Sequence, residues 1–291
     1  MSQQSTMVNY MVTTPAELVQ GMVKLVSLPH ICIRVNLMVE DPNYSTMEIG
    51  QIIGQDASLT ARLLKLANSP FYGFQSKIET VSRAIMVIGH HELRDLVIAV
   101  SAVRTFNKIP MDLANMASFW RHSMFCAIVS RLLAQRCHVL HPERLFIAGL
   151  LHDIGQLIIF HKLPDAARHV LSRVSNNEEL FHAEQELLAF SHADVGAELM
   201  KSWQLPASLQ ETIKFHHNPD QAPNNPLEAA IVNIANYVTN NEEFGGTTDH
   251  PCSSIDPCAW KITNLSEDIV AEVKNEAYPL LFEGLALIMP N

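Results

Sequence analysis

Apolar positions recur at helical spacing along almost the whole chain, and sustained period-two alternation is absent. Leu59, Leu63 and Leu66 fall on one helix face, Ile78, Val81, Ile85 and Ile88 on a second, and Leu93, Leu96, Val97 and Val100 on a third. Each stripe reads as packed core. No Asn-Gly or Asp-Gly pair marks a hairpin. The pattern predicts an all-α chain of about ten or more helices.

Helix starts are marked by sequence. Thr14-Pro15-Ala16-Glu17 and Ser45-Thr46-Met47-Glu48 each offer a capping box, the first with proline at the opening helical position. Ser191-His192-Ala193-Asp194 offers the same device with a shorter acid, and Pro142 and Pro206 mark further starts. Breaks are expected at Pro110, at Asn176-Asn177 and between Asn218 and Pro226. The segment from Asn240 to Asp256 reads as irregular, followed by one amphipathic helix from about Leu265 to Leu287.

Composition narrows the classes of function. With 291 residues, 48% hydrophobic and 17% charged, the chain is long enough to bury a large core as one domain or two. The net charge of −10 argues against attraction to nucleic acid or to an anionic membrane. Five cysteines, an odd number, fit no disulfide framework; Cys252 and Cys258 near His250 do not match a metal knuckle. Reduced thiols are the plain reading. The N-terminus lacks the basic-then-apolar order of a signal peptide. The apolar stretch from Leu145 to Phe160 carries His152 and Asp153 in its middle and is too short to span a bilayer. A cytoplasmic protein is expected.

A histidine–aspartate series changes the picture from core to chemistry. It runs His122, His152-Asp153, His192 and His216-His217, with Asn236 where another aspartate would complete a set. His122 or His192 alone reads as a hydrogen-bonded helix residue and His216-His217 as an exposed pair before the Asn218-Pro219 break, whereas the ordered series reads as a site. Imidazoles with carboxylate suit Fe, Mn, Ni or Zn better than Ca, and two such ions polarise a phosphate ester and activate water. Adjacent His152 and Asp153 in one helix point about 100° apart. They can still converge on one metal, with Gly155 letting the chain turn closely beside them.

A second motif runs Ile52-Ile53-Gly54-Gln55-Asp56, then Leu63 to Gly73 (LLKLANSPFYG), then Ile78 to Gly89. Pro70 disfavours helix at Ser69, Gly73 frees the loop beyond, and Asn68 caps or braces that loop. Arg62, Lys65, Arg83 and Arg94 surround it, as an acidic-partner contact or as solvated faces.

Together these residues resemble the HDOD family, the HD-related output domains of bacterial signalling proteins. The likeness runs from Leu28-Pro29 to about Asn240, with Ala57 departing where proline is common. It implies a divergent HD phosphohydrolase fold: an HD-like helical bundle preceded by an additional N-terminal helical bundle. The expected organisation is a tail over 1–12 and a domain over 13–240, divided into halves 13–110 and 111–240. A loop and helix over 241–291 would pack on that domain.

The resemblance also implies regulation through protein interactions more often than catalysis. His122, His152, Asp153, His192, His216, His217 and Asn236 become candidate ligands for one or two divalent transition metals. Asp153 is the catalytic candidate should the site turn over. Asn68, Ser69, Pro70, Tyr72 and Gly73 are the candidate contact surface. Three departures weaken catalysis: Asn236 stands at the family's last aspartate ligand, and Gln156 stands where active enzymes carry lysine. No Gly-Tyr-Pro follows His217. The expectation is an output module with a degenerate HD site, partnered by signalling proteins and by neither membrane nor nucleic acid. The alternative is a metal-dependent phosphohydrolase acting on a nucleotide or another phosphorylated small molecule.

Overall fold

The computed structural model describes residues 13–22, 26, 28–69, 74, 76–109, 111–175, 178–241 and 255–288. Among them all regular structure is helical, as the periodicity predicts.

The first half contains α1 (Pro15–Gln20), α2 (His30–Glu40), α3 (Thr46–Ile53), α4 (Ala57–Ala67), α5 (Val81–Ile88) and α6 (His90–Phe106). Both predicted capping boxes close: Thr14 with Glu17 starts α1, and Ser45 with Glu48 starts α3. Asp56 and Thr80 cap α4 and α5 with their side-chain oxygens. The three stripes are buried except for Ile88, which is half-buried against the core, and Ile78 reaches the core from the segment before α5 and not from a helix. Gly89, with φ of 108°, makes the sharp corner between α5 and α6. Asn68 is the brace of the signature segment. Its amide donates to the carbonyls of Leu64 and Ile78, both at 2.7 Å, and its oxygen accepts from the Ile78 amide at 2.7 Å. Pro70, Tyr72 and Gly73 lie outside the described residues, as do His250 and Cys252. Arg94 is buried between Asp95 and Glu40, which removes it from the proposed basic contact face.

The second half is built on α7 (Met116–Arg136), which is apolar nearly all round and lies in the core. It is followed by α8 (Glu143–Leu151), α9 (Ile154–Lys162), α10 (Pro164–Val174), α11 (Leu180–Leu188), α12 (His192–Ser202) and α13 (Ala207–Phe215). A 3₁₀ turn (Pro219–Gln221) then leads into α14 (Pro226–Asn240). α7 packs on α8 and α14, α9 on α12, and α12 on α13. One continuous core joins both halves, and α1 packs back against α9 and α12. A small separate cluster of Val170, Val174 and Ala183 holds α10 to α11. The stretch Glu143–Lys162 is long and apolar enough for a membrane span, but 89% of its apolar window is buried inside the fold.

The C-terminal region departs from the single helix expected over Leu265 to Leu287. Pro257 at the first turn and Asp256, accepting from the Cys258 amide at 2.8 Å, start an additional helix, α15 (Pro257–Thr263). Asn264 ends it with φ of 54°. The long helix, α16 (Ile269–Ile288), then lies along α7 and touches α4 and α6.

Candidate metal centre

The centre forms where α8 ends against α7. A Cβ at Gly149 would meet the Ala127 Cα and the Cys126 carbonyl at 2.8 Å, so only glycine lets α8 approach this closely. That contact brings His152 to His122, with their Nε2 atoms 3.4 Å apart. His152 and Asp153 do not share a continuous helix as the sequence suggested. α8 stops at Leu151, Asp153 takes φ −97° and ψ 3°, and α9 starts at Ile154. The carboxylate therefore stands at a turn between two helices, with imidazoles on both sides.

Asp153 divides its two oxygens. Oδ2 lies 3.4 Å from His122 Nε2 and 3.2 Å from His152 Nε2. Oδ1 lies 3.1 Å from His192 Nε2 and 3.9 Å from His216 Nε2. His217 joins the second set through His192, at 3.0 Å between Nε2 atoms. Two ligand groups result, His122–His152–Asp153 and Asp153–His192–His216–His217, and they share Asp153. His217 is half-buried and stacks on Phe181 at 4.5 Å; the other five are buried.

The far nitrogens settle the tautomers. His152 Nδ1 faces the Gly149 carbonyl at 2.8 Å and His216 Nδ1 faces the Ile213 carbonyl at 2.7 Å. A carbonyl only accepts, so both Nδ1 atoms carry hydrogen and both Nε2 atoms are left facing Asp153. Asn233 on α14 donates to the His216 carbonyl at 2.8 Å and fixes its backbone.

The electrostatics favour positive charge on two of the imidazoles. Burial opposes charge on His152 and His192. The Asp153 carboxylate nevertheless raises His152 well above the usual imidazole range, and Glu184, with help from Asp153, pushes His192 up to about 10. Burial would raise Asp153, yet His152 charge and the close His122, His152 and His192 rings hold it well below the carboxylate range. Burial and the neighbouring charged histidines push His216 down to about 3 and His217 well below its usual value. Asp153 Oδ1 and His216 Nε2 are buried without a hydrogen-bond partner; the His192 nitrogen 3.1 Å from Oδ1 is misaligned for one. Such orphaned acceptors, in a set of five imidazoles and one carboxylate, fit a divalent transition ion that would displace the two protons.

Asn236 is not placed among these donors by any contact. It is buried on α14, and its amide oxygen accepts from Asn240 at 3.0 Å. Sequence reasoning also missed a participant. Glu184 of α11 is fully buried, and its Oε2 lies 2.6 Å from His192 Nδ1. Nothing in the run His182-Ala183-Glu184-Gln185-Glu186 separates the buried Glu184 from the more exposed Glu186. Ser69 spends its hydroxyl on the Leu66 carbonyl at 2.7 Å.

Residues 25–219 match the HDOD domain family. The chain belongs to that family. This HDOD chain is similar to the crystal structure of an HDOD domain protein with unknown function from Geobacter sulfurreducens. Identity is 26% and TM-score 0.74, over 95% of this chain and 99% of that one. It is also similar to a candidate phosphohydrolase from Shewanella amazonensis SB2B, at 25% identity and TM-score 0.69, over 95% and 98% of the two chains. An uncharacterized protein of Treponema pallidum is 26% identical over 200 residues, 67% of this chain. The HDOD chain spans only 38% of that relative's length.

Proposed function

We propose that this HDOD chain is a cytoplasmic signal-transduction output module that acts through contacts with other proteins. Its histidine–aspartate centre serves it as a metal-binding element and not as an efficient hydrolase. The observation that supports this reading is the donor set: Asp153 is the one carboxylate in both ligand groups, and the Asn236 amide is engaged with Asn240. One anionic ligand offsets little of the charge of two divalent ions. His122, His152 and Asp153 would hold one ion, and Asp153, His192, His216 and His217 the other. A bound ion there supplies Lewis acidity toward a phosphate oxygen. An ion would take the place of any proton on His152 Nε2 and His192 Nε2, while the Gly149 carbonyl and Glu184 keep the Nδ1 hydrogens. Gln156, buried beside the turn, brings no positive charge to a phosphate.

A second reading, a metal-dependent phosphohydrolase acting on a nucleotide or other phosphoester, is favoured by the orphaned Asp153 Oδ1 and His216 Nε2 and by the Shewanella similarity. The deciding measurement is metal content by mass spectrometry on untagged, chelator-free protein, paired with hydrolysis of a panel of nucleotides and aryl phosphoesters. The output reading expects bound metal, of which His217→Ala loses the share held by the second ligand group, and no turnover above that of free metal. Turnover abolished by Asp153→Asn would overturn it in favour of the hydrolase.

A further inference from the structure

Glu184 reaches the centre from outside both ligand groups, and a single oxygen of its carboxylate does two jobs. Oε2 accepts from the His192 backbone amide at 2.7 Å and lies 2.6 Å from His192 Nδ1. The amide is an unpaired donor at the first position of α12, so the carboxylate serves the helix start as well as the ring. A carboxylate accepts, so Nδ1 carries the hydrogen and Nε2 is left to the second ligand group, 3.1 Å from Asp153 Oδ1 and 3.0 Å from His217 Nε2. With backbone and ring tied to one oxygen, neither the imidazole tautomer nor its rotation is free.

Three residues before Glu184, on the same face of α11, Phe181 stacks on His217 with rings 4.5 Å apart and 26° from parallel. α11 thus touches both imidazoles whose Nε2 atoms meet at 3.0 Å. It is held to α10 by a cluster of its own, Val170, Val174 and Ala183, apart from the main core.

We infer that Glu184 is a positioning residue, which fixes His192 as an Nε2 metal donor and makes the affinity of the second ligand group depend on the seating of α11. This rests on the metal-binding reading above. Carboxylates behind metal-bound histidines orient the ring and raise its basicity, and their loss weakens metal binding about 10–100-fold.

The test compares wild type, Glu184→Gln, Glu184→Ala, His192→Ala and the Glu184→Ala/His192→Ala double variant. Zn²⁺ affinity is measured by chelator competition, and the histidine ring N–H protons are followed by NMR in metal-free and Zn²⁺-loaded protein. Glu184→Gln keeps an acceptor oxygen and guards against a folding defect, with circular dichroism confirming helicity. The expected result is an affinity about 10–100-fold weaker in Glu184→Ala and a smaller loss in Glu184→Gln. The double variant should bind about as well as His192→Ala, because Glu184 touches the ligand side chains only through that ring. A downfield Nδ1 proton, assigned by its loss in His192→Ala, should persist in Glu184→Gln and vanish in Glu184→Ala. Unchanged affinity in Glu184→Ala, or additive losses in the double variant, would overturn the inference while leaving the metal site intact. Wild type that takes up no Zn²⁺ yet shows the protected proton would instead sink the metal-binding reading and keep the Glu184–His192 coupling.

Discussion

The backbone of Gly155 lies so close to His192 that a Cβ at position 155 would stand 2.0 Å from the His192 carbonyl oxygen and 2.8 Å from the Gly196 amide. Gly155 has no left-handed φ. Its role is therefore to let α9 and α12 touch, and not to turn the chain, as its place after His152-Asp153-Ile154 suggested. Through that contact Asp153, two residues before Gly155, comes within 3.1 Å of His192.

Gly155→Ala should therefore push α9 from α12. The expected loss is at least about 1–3 kcal/mol of stability, as for overpacked cores, together with weaker metal retention. Urea midpoints and a Zn²⁺ titration of the variant check both; unchanged midpoints would mean the helices separate freely.

Asp153→Asn removes the charge shared by the two ligand groups, so metal should be lost from both together. His217→Ala touches only the second group and should leave about one equivalent on His122, His152 and Asp153. Metal-to-protein ratios of the two variants distinguish a shared carboxylate from independent sites.

Glu211 on α13 holds the segment between His217 and α14. Its oxygens accept from the Asn224 and Asn225 amides at 2.6 and 2.7 Å and from their side chains at 3.1 and 2.9 Å. Burial would raise this carboxyl, but these bonds outweigh it and hold it below its usual value. A carboxyl depressed by folding stabilises above its unfolded pKa and loses that contribution as pH falls through the folded one. Glu211→Gln should cost about 1 kcal/mol at neutral pH, allowing for solvent screening. The difference from wild type should fade in acid, below the carboxylate range, as read from urea midpoints at both pH values.

Asn68→Ala removes three bonds of 2.7 Å, two that tie the end of α4 to Ile78 and one back to the Leu64 carbonyl. It should cost about 1–3 kcal/mol and speed amide exchange at Ile78. Unchanged exchange there would show that the segment is held by other contacts.

Periodicity, capping boxes and proline starts were local signals, and they marked the helices correctly wherever the determinants lay within one turn of chain. Thr14 with Glu17, Ser45 with Glu48 and Ser191 with Asp194 all cap as read. The reading failed where two local signals competed. Pro257 and Asp256 start a helix between the irregular stretch, read as ending at Asp256, and the single helix expected from about Leu265. The order of histidines and aspartate similarly named the metal-centre candidates, because ligand chemistry restricts the residue types.

Chain order alone therefore determined an all-helical HDOD fold and the residues able to meet in its second half. Only the tertiary structure decided how they meet. The interruption at Asp153, which lets one carboxylate face two sets of imidazoles, depends on α8 being pressed against α7 at Gly149 and α9 against α12 at Gly155. The choice of Glu184 as the buried partner of His192, with Glu186 left outside, depends on which face α11 turns inward. Both are contacts between elements distant in sequence, set by close packing of backbones that no local pattern records.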